Sequence, residues 1–243
     1  MNIFLDINLA KGFTYKLNAS RRSWNYKAMS FNSSKSLSGI ANSGQGSGYI
    51  RFQDNVEYQL SNILHYNLNV AEKNHFNVTG VYEITSSEYN DFRNSASRIP
   101  SDILGIYGLE SAFLNTPLIG GNERSLISFA GKLEYDFDSK YYFTVSGRAD
   151  GSSVFGANNK WGFFPGISAA WVVSNEEFFK NINPISELKL RAGWGKTGNQ
   201  LIPNVFNAYT LYIPDPLNNA YDISGSGNSI ANGFDLAQFG NPN

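Results

Sequence analysis

The sequence has 243 residues, of which only 16% are charged and 15% are aromatic, whereas charged residues make up about 25% of a typical soluble domain. The net charge of -1 and the pI near 6.1 exclude the basic surface that nucleic-acid binding requires. The absence of cysteine excludes disulfides, thiolate catalysis and cysteine-ligated metal sites.

Neutral polar residues take the place of the missing charge. The chain contains 30 Asn, 28 Ser and 23 Gly, a mixture that disfavours helices and favours turns, polar loops and pleated surfaces. The composition therefore argues against an ordinary helical enzyme.

Hydrophobic residues recur at every second position in one segment after another, which predicts β-strands. The clearest strand lies at residues 56–70, where Val56, Tyr58 and Leu60 share one face and Glu57 and Gln59 share the other. Eight strands are predicted in total, over residues 3–9, 13–19, 56–70, 76–84, 127–137, 141–149, 161–173 and 187–195.

Loops are predicted between these strands. Ser30–Gly48 is a low-complexity loop, Ser86–Glu123 is irregular with a short helix near Glu88–Ala96, and Gly151–Lys160 is a polar loop. One helical turn is expected within Ser174–Ser186, and the chain beyond Gly198 is expected to be loop-like because it is rich in Pro, Ser, Gly and Asn.

The connections alternate between short and long. Three are tight turns, at Ala10–Gly12, Ala71–Lys73 and Asp138–Lys140, and those between them are many residues long. Outer-membrane barrels have this layout, with short periplasmic turns and long external loops.

Ionised residues lie in the middle of strands on one face only, whereas the other face is aliphatic with aromatics toward its ends. The ionised set comprises Asp6, Lys16, Glu57, Lys132, Glu134, Asp136, Arg148, Lys189 and Arg191. A barrel with a wet lumen and a lipid-facing exterior requires this pattern.

Two alternatives remain open at this stage. A soluble antiparallel β-sandwich, such as an adhesin or a carbohydrate-binding module, also has strands that alternate. A small closed outer-membrane barrel is possible as well, because eight strands suffice to close one. The alternation of loop lengths favours a membrane barrel over the sandwich.

Long ordered motifs between Leu133 and Gln200 resemble the barrel signature of SusC/RagA-type TonB-dependent outer-membrane transporters. They are SGRADGSSVFG from Ser146, NNKWGFFPGISAAW from Asn158, SNEEFF from Ser174 and ISELKLRAGWGKTGNQ from Ile185. Val154 departs from the pattern, since the family usually has a basic residue there. No segment resembles the family's signal sequence, plug domain or TonB-contacting box.

The resemblance implies an all-β fold: residues 1–243 would be part of an antiparallel transmembrane β-barrel, about eight strands of a larger barrel with long external loops. The plug domain and the C-terminal strands would be absent from this segment. The whole protein would reside in the Gram-negative outer membrane and import large nutrients such as oligosaccharides or peptides. Its partners would be membrane lipid, a SusD-type surface lipoprotein and TonB.

The loop that carries the family signature supplies the candidate site residues: Arg148, Asp150, Gly151, Ser152, Phe155, Gly156 and Trp161. This loop either contributes to the external vestibule or forms a fold-defining corner with an internal Arg–Asp pair, and Gly151 and Ser152 are expected to begin it with a permissive backbone. The aromatic residues Trp161, Phe163, Phe164 and Trp171 are predicted to be girdle residues at the membrane interfaces; sugar stacking is the alternative.

No catalytic, cofactor-binding or metal-binding motif is recognisable, so the sequence does not predict an enzyme. Gly195-Lys196-Thr197 lacks the preceding glycine of a phosphate-binding loop, since Leu190 stands there. His65 and His75 are the only histidines and have no third ligand at a suitable spacing.

Overall fold

The computed structural model describes residues 1–115, 117–179, 185–199, 205–215, 221–222, 225, 230–231 and 233–241. These residues are mostly β-strand, as predicted. The strands are β1 (Asn2–Ala10), β2 (Phe13–Asn32), β3 (Gly46–Val70), β4 (Asn74–Ile99), β5 (Phe113–Leu114), β6 (Leu118–Phe137), β7 (Tyr141–Ser152), β8 (Trp161–Val172), β9 (Lys189–Gly195), β10 (Leu211–Asp215), β11 (Tyr221–Asp222), β12 (Ile230–Ala231) and β13 (Gly233–Gln238).

One nine-stranded sheet contains the first nine strands. Its neighbours follow chain order from β1 to β9, except that β5 is a short strand paired only with β4. The eight strands on the main path correspond to the eight predicted ones, and the described strands do not close this sheet on itself. The prediction of an antiparallel all-β fold is confirmed.

The three predicted tight turns are present. β1 and β2 are separated by two residues, and Gly12 adopts a left-handed φ of 76°. A Cβ there would lie 2.2 Å from the main-chain oxygen of Asn67, so glycine is required on both conformational and steric grounds. Asp138 and Ser139 also have positive φ, and the Asp136 carboxylate supports their turn by accepting a 2.9 Å hydrogen bond from the Ser139 N–H.

Several predicted loops are instead strand. β2 runs on to Asn32, β3 starts at Gly46, and β4 continues to Ile99, so the short helix predicted near Glu88–Ala96 is wrong. The polar residues there, Ser86 to Ser97, carry no apolar alternation, but pairing with neighbouring strands satisfies their backbone all the same. The loop-like prediction beyond Gly198 is also wrong for β10 and β13, which pair antiparallel.

Two compact units make up the chain. The first comprises 1–2, 20–59 and 86–123, and the second comprises 3–19, 60–85 and 124–243.

The first unit contains a small apolar core at the loop ends of its strands. Ala96, Ile99 and Leu109 are buried there, and partly buried residues pack around them: Phe31, Ile50, Ile106 and Ala112. The short helix α1 (Leu37–Ala41) is capped by the Ser36 hydroxyl. Asp102, which begins a 3₁₀ segment, accepts hydrogen bonds from the Ser34 N–H and hydroxyl at 2.9 and 2.6 Å. These loops are therefore folded against each other.

The second unit contains the regular antiparallel pairing of β6, β7, β8 and β9. Ala130, Arg148 and Phe164 lie side by side on β6, β7 and β8, and Ser128, Asp150 and Gly162 form the next such row on the same face. Two short 3₁₀ turns, Val173–Asn175 and Glu177–Phe179, follow β8, consistent with the predicted helical turn; residues 180–184 of that segment lie outside the described residues. No helix among the described residues is long and apolar enough to cross a membrane.

Candidate functional site

Arg148 is the centre of a polar network on β6 and β7. Its Nε donates to both oxygens of Asp150, at 2.7 and 2.9 Å, and its Nη2 donates to the Ser128 hydroxyl at 2.8 Å. Ser128 is 1% exposed. Residues two apart on a strand point to the same face, which is why Arg148 reaches Asp150. The two residues therefore form the Arg–Asp pair that one of the two interpretations of this loop includes.

The network continues onto β4 and β3. Glu83 Oε1 lies 3.8 Å from Arg148 Nη2, and its other oxygen accepts a 2.7 Å hydrogen bond from the Ser61 hydroxyl. A single guanidinium thus faces two carboxylates, and both hydroxyls are satisfied. Because the whole chain of contacts lies on one face, it ties the polar side of four strands together.

A cavity of about 350 Å³ lies beside this network. Its lining includes Arg148, Asp150, Phe155 and Phe164, together with residues 196–199 after β9. Phe164 packs tightly under that last segment, because a Cβ at Gly198 would lie 2.2 Å from Phe164 Cζ. The cavity therefore joins the signature loop to the start of the next loop and exposes an aromatic ring beside amide, hydroxyl and ammonium groups. Such groups bind polar solutes.

Gly151 and Trp161 lie on the other face, away from this cavity. They are paired across β7 and β8, and a Cβ at Gly151 would lie 2.8 Å from the Trp161 indole. The expectation that Gly151 and Ser152 begin the loop with a permissive backbone is wrong, since both are the last residues of β7 and Gly151 has no positive φ. Glycine is needed there to admit the indole, which also stacks on Phe129 at a centroid distance of 6.1 Å.

The loop itself is held by main-chain and hydroxyl contacts. Ser152 is 5% exposed, and its N–H donates to the Lys160 carbonyl at 3.0 Å. The Ser153 N–H donates a hydrogen bond to the Ser125 carbonyl, and the Ser153 hydroxyl accepts one from the Ser125 N–H, both at 2.9 Å. Val154 and Gly156 are both buried, so an apolar residue at position 154 suits its surroundings.

The four aromatic residues predicted as girdle do not share one face. Trp161, Phe163 and Trp171 alternate on the apolar face, whereas Phe164 lies opposite Arg148 in the cavity. Trp171 stacks on Tyr141 at 6.3 Å. A girdle role therefore stays a prediction for Trp161, Phe163 and Trp171, whereas Phe164 lines the cavity on the polar face.

Both histidines contact polar side chains on the face of β3 and β4 that the sequence predicts to be polar. His65 Nδ1 lies 2.9 Å from the Thr79 hydroxyl, and His75 Nδ1 lies 2.8 Å from the Asn69 side-chain oxygen. Within the described part of the chain, no group of three or more His, Asp or Glu residues is placed to hold a metal ion.

Sequence reasoning missed the partners of the signature loop. Ser128, Glu83 and Ser61 are ordinary polar-face residues until the sheet aligns them with Arg148. Lys196 and Thr197 belong to the last family motif and to the failed phosphate loop, but neither pattern predicts that they lie beside Arg148. The alternation of polar residues on each strand is a signal for their face, but strand register is what brings them together.

The comparisons with known proteins agree on one family. The family model described as "TonB dependent receptor-like, beta-barrel" matches residues 3–243. "TonB-dependent receptor P39" of Formosa agariphila is 31% identical over 98% of this chain and 22% of its own length. "TonB-dependent receptor SusC" of Bacteroides thetaiotaomicron is 43% identical over 40% of this chain and 9% of its own.

Solved structures of the RagAB peptide transporter have the same fold. One is 24% identical with a TM-score of 0.82, and its "open-open" state is 25% identical with a TM-score of 0.83. Each comparison covers 99% of this chain but only 26% and 25% of the other chain, respectively. The chain thus spans about a quarter of the length of these relatives or less.

Proposed function

Because the chain belongs to the TonB-dependent receptor β-barrel family, in its SusC/RagA-type branch, we propose that it forms part of the wall of an outer-membrane importer for large nutrients. The observation that carries this proposal is the family match over residues 3–243 in a chain whose main sheet is left open. Such a sheet requires further strands to close, and relatives about four times longer have room for them.

The lengths of the strands suit this role. A transmembrane β-strand needs about 9–11 residues, whereas β3 and β4 have 25 and 26. The residues next to their short turn are enough to cross the hydrocarbon layer, and the rest extend beyond it. The polar face would line the lumen and the apolar face would contact lipid.

The alternatives from the sequence have less support. A soluble sandwich does not account for the family match, and a small eight-stranded barrel does not account for an open sheet of this length. We propose that the complete protein also contains a plug domain and a TonB-contacting segment, and that it works with a SusD-type surface lipoprotein. Its cargo is an oligosaccharide or a peptide, as the family resemblance implies; a peptide is the cargo named for the RagAB relative.

Within this wall, the Arg148–Asp150 pair acts as a fold-defining corner because its hydrogen bonds are directed at its own sheet. Phe164 and the segment 196–199 face the cavity and belong to the vestibule. Phe155 lines the same cavity, and Gly151, Ser152, Gly156 and Trp161 serve the packing of the loop.

The full-length gene product tests the function. We expect it to fractionate with the outer membrane, to require detergent for extraction, and to migrate differently in gels before and after heating. Genomic sequence upstream of Met1 should encode a plug domain behind a signal peptide. A full-length product that is wholly soluble without detergent would overturn the proposal.

A further inference from the structure

Five planar side chains form a cluster on β2, β3 and β4 within the first unit. Gln53 Nε2 donates to the Tyr89 hydroxyl, and the Tyr89 ring lies 6.3 Å from that of Trp24. In the next row, Arg51 binds Asp91 through two hydrogen bonds, of 2.9 and 2.5 Å. These residues, Trp24, Arg51, Gln53, Tyr89 and Asp91, are called the planar ladder below. A further row repeats the pattern, with the Arg93 guanidinium 4.3 Å from the Tyr49 ring centre.

The planar ladder lies on the face predicted to line the lumen. Glu57 is on the same face of β3 as Arg51 and Gln53, because all three are an even number of residues apart, and it pairs with Arg22 at 3.9 Å. Tyr58 points to the opposite face, where Arg21 donates to its hydroxyl at 3.3 Å. The ladder and Tyr58 therefore offer aromatic rings on opposite sides of one strand.

The ladder is both accessible and organised. Trp24 is 44% exposed, and Tyr26, two residues further along β2, is 50% exposed. The hydrogen bonds from Arg51 hold the pKa of the Asp91 carboxyl below its usual range, so the pair stays ionised and fixed. Rings whose edges are held by hydrogen bonds lose little freedom when a ligand binds.

We propose that the planar ladder binds the sugar rings of an oligosaccharide on its way through the importer, an inference that rests on the proposed function. The flat C–H face of a pyranose stacks on an exposed indole. Its hydroxyls accept and donate hydrogen bonds at the edge, where an amide, a carboxylate and a guanidinium are already aligned. Rows two residues apart along each strand let successive sugars be bound along the strand direction.

A sugar suits this surface better than an extended peptide does. Extended peptides are commonly recognised by main-chain hydrogen bonds at an open strand edge. β3, which contributes Arg51 and Gln53, lies between β2 and β4 with its main-chain groups already paired. Only side chains are offered there, and the charge of Arg51 is compensated by Asp91, which leaves that pair without net charge for a peptide terminus.

Binding to the purified full-length protein in detergent tests the inference. The probes are neutral hexasaccharides derived from starch, cellulose, laminarin, xylan and mannan, and a tryptic digest of casein for comparison. At least one hexasaccharide should bind, Trp24→Ala should weaken its affinity at least about tenfold, and Trp24→Phe should retain most of it. Tyr58→Ala is the matched control and should change affinity less than about twofold.

Folding of each variant is checked by its heat-dependent gel migration. Undiminished sugar binding by Trp24→Ala, binding of casein peptides alone, or binding of none of the hexasaccharides would overturn the inference. These results leave the proposed function standing, since an importer of another cargo would still be extracted from the outer membrane. Conversely, a soluble full-length product would overturn the proposed function whatever it binds.

Discussion

Arg148 shows how a single residue type is selected by geometry. Its planar fork places one nitrogen on Asp150 and another on the buried Ser128 hydroxyl, while Glu83 adds a more distant charge at 3.8 Å. A lysine has the charge without the fork. Arg148 therefore links β6 and β7 through its side chain, and a positive charge without the guanidinium geometry would not make both contacts.

Arg148→Lys should lower the free energy of unfolding by about 1 kcal/mol, because one ammonium cannot serve Asp150 and Ser128 together and Ser128 loses its partner in a buried position. The measurement is urea unfolding of the full-length protein in detergent. Lys132→Ala is the control, since the Lys132 side chain is 44% exposed and its ion pair is with Glu134 on its own strand; it should cost less than about 0.5 kcal/mol. Equal effects of the two variants would contradict the role of the fork.

Gly198 is a second position where a single added carbon atom would disturb the packing, here against the Phe164 ring. Gly198→Ala would place a methyl group 2.2 Å from Phe164 Cζ, so the segment and the ring must move apart. We expect trypsin to cleave after the exposed Lys196 several-fold faster in this variant. Gly131→Ala is the control because no atom lies within 4 Å of its added Cβ, and its cleavage rate should match the unmodified protein. Unchanged cleavage in Gly198→Ala would show that the segment does not rest on Phe164.

At the scale of elements, Glu176 connects the turn before β7 to the end of β8 at the short-turn end of the sheet. This residue follows β8 and accepts hydrogen bonds from the Tyr141 hydroxyl at 2.6 Å, the Trp171 indole at 3.1 Å and the Lys140 ammonium at 3.2 Å. Lys140 also lies 3.5 Å from Asp138. The turn before β7 and the segment after β8 are thus held by one carboxylate.

These hydrogen bonds, foremost that from Tyr141, hold the pKa of Glu176 below its usual range. A carboxyl whose pKa is lowered on folding stabilises the folded state above its unfolded pKa, here about 4.5, and loses that contribution as pH falls through the folded value. The melting temperature of the wild type should therefore fall more steeply below pH 4.5 than that of Glu176→Gln, which should already be less stable at pH 7. Glu123→Gln, on an exposed residue of β6, serves as control; parallel pH curves for wild type and Glu176→Gln would refute this role.

At the scale of the whole molecule, the two faces of the sheet have opposite requirements. Leu133, Val145 and Ile167 lie side by side on the apolar face, while Glu134, Thr144 and Ser168 lie beside them on the polar one. In a barrel wall the first row contacts lipid and the second contacts water. Neighbouring residues on one strand should therefore respond differently to the same charge.

Val145→Arg should destabilise the full-length barrel by about 2–4 kcal/mol, the cost of a cation near the bilayer midplane. Thr144→Arg, one residue earlier, should cost less than about 1 kcal/mol because the side chain enters the lumen. The check is the fraction of each variant that assembles into heat-modifiable barrel in the outer membrane. Equal assembly of the two variants would mean that the apolar face does not contact hydrocarbon.

Much of this architecture could be read from local pattern. Period-two alternation located all eight strands of the main path, and the tight turns at Gly12, Ala71 and Asp138 were predicted where they occur. Strand extensions such as 86–99 of β4 were predicted to be irregular, because their stability depends on neighbouring strands and their own residues do not alternate. For the candidate site, one of the two interpretations of the loop included the Arg148–Asp150 pair, which is present. Phe164 was predicted as a girdle residue but lies beside Arg148 on the polar face.

The sequence by itself determined which face of each strand is polar, because the side-chain period of a strand is a local property that needs no partner. Its long motifs also identified the family. Only the tertiary structure decided which polar residues meet, since Ser61, Glu83, Ser128 and Arg148 lie far apart in the chain and are brought together by register. The planar ladder has the same origin: Trp24, Gln53 and Tyr89 come from three strands, and only hydrogen-bonded pairing of those strands brings them together.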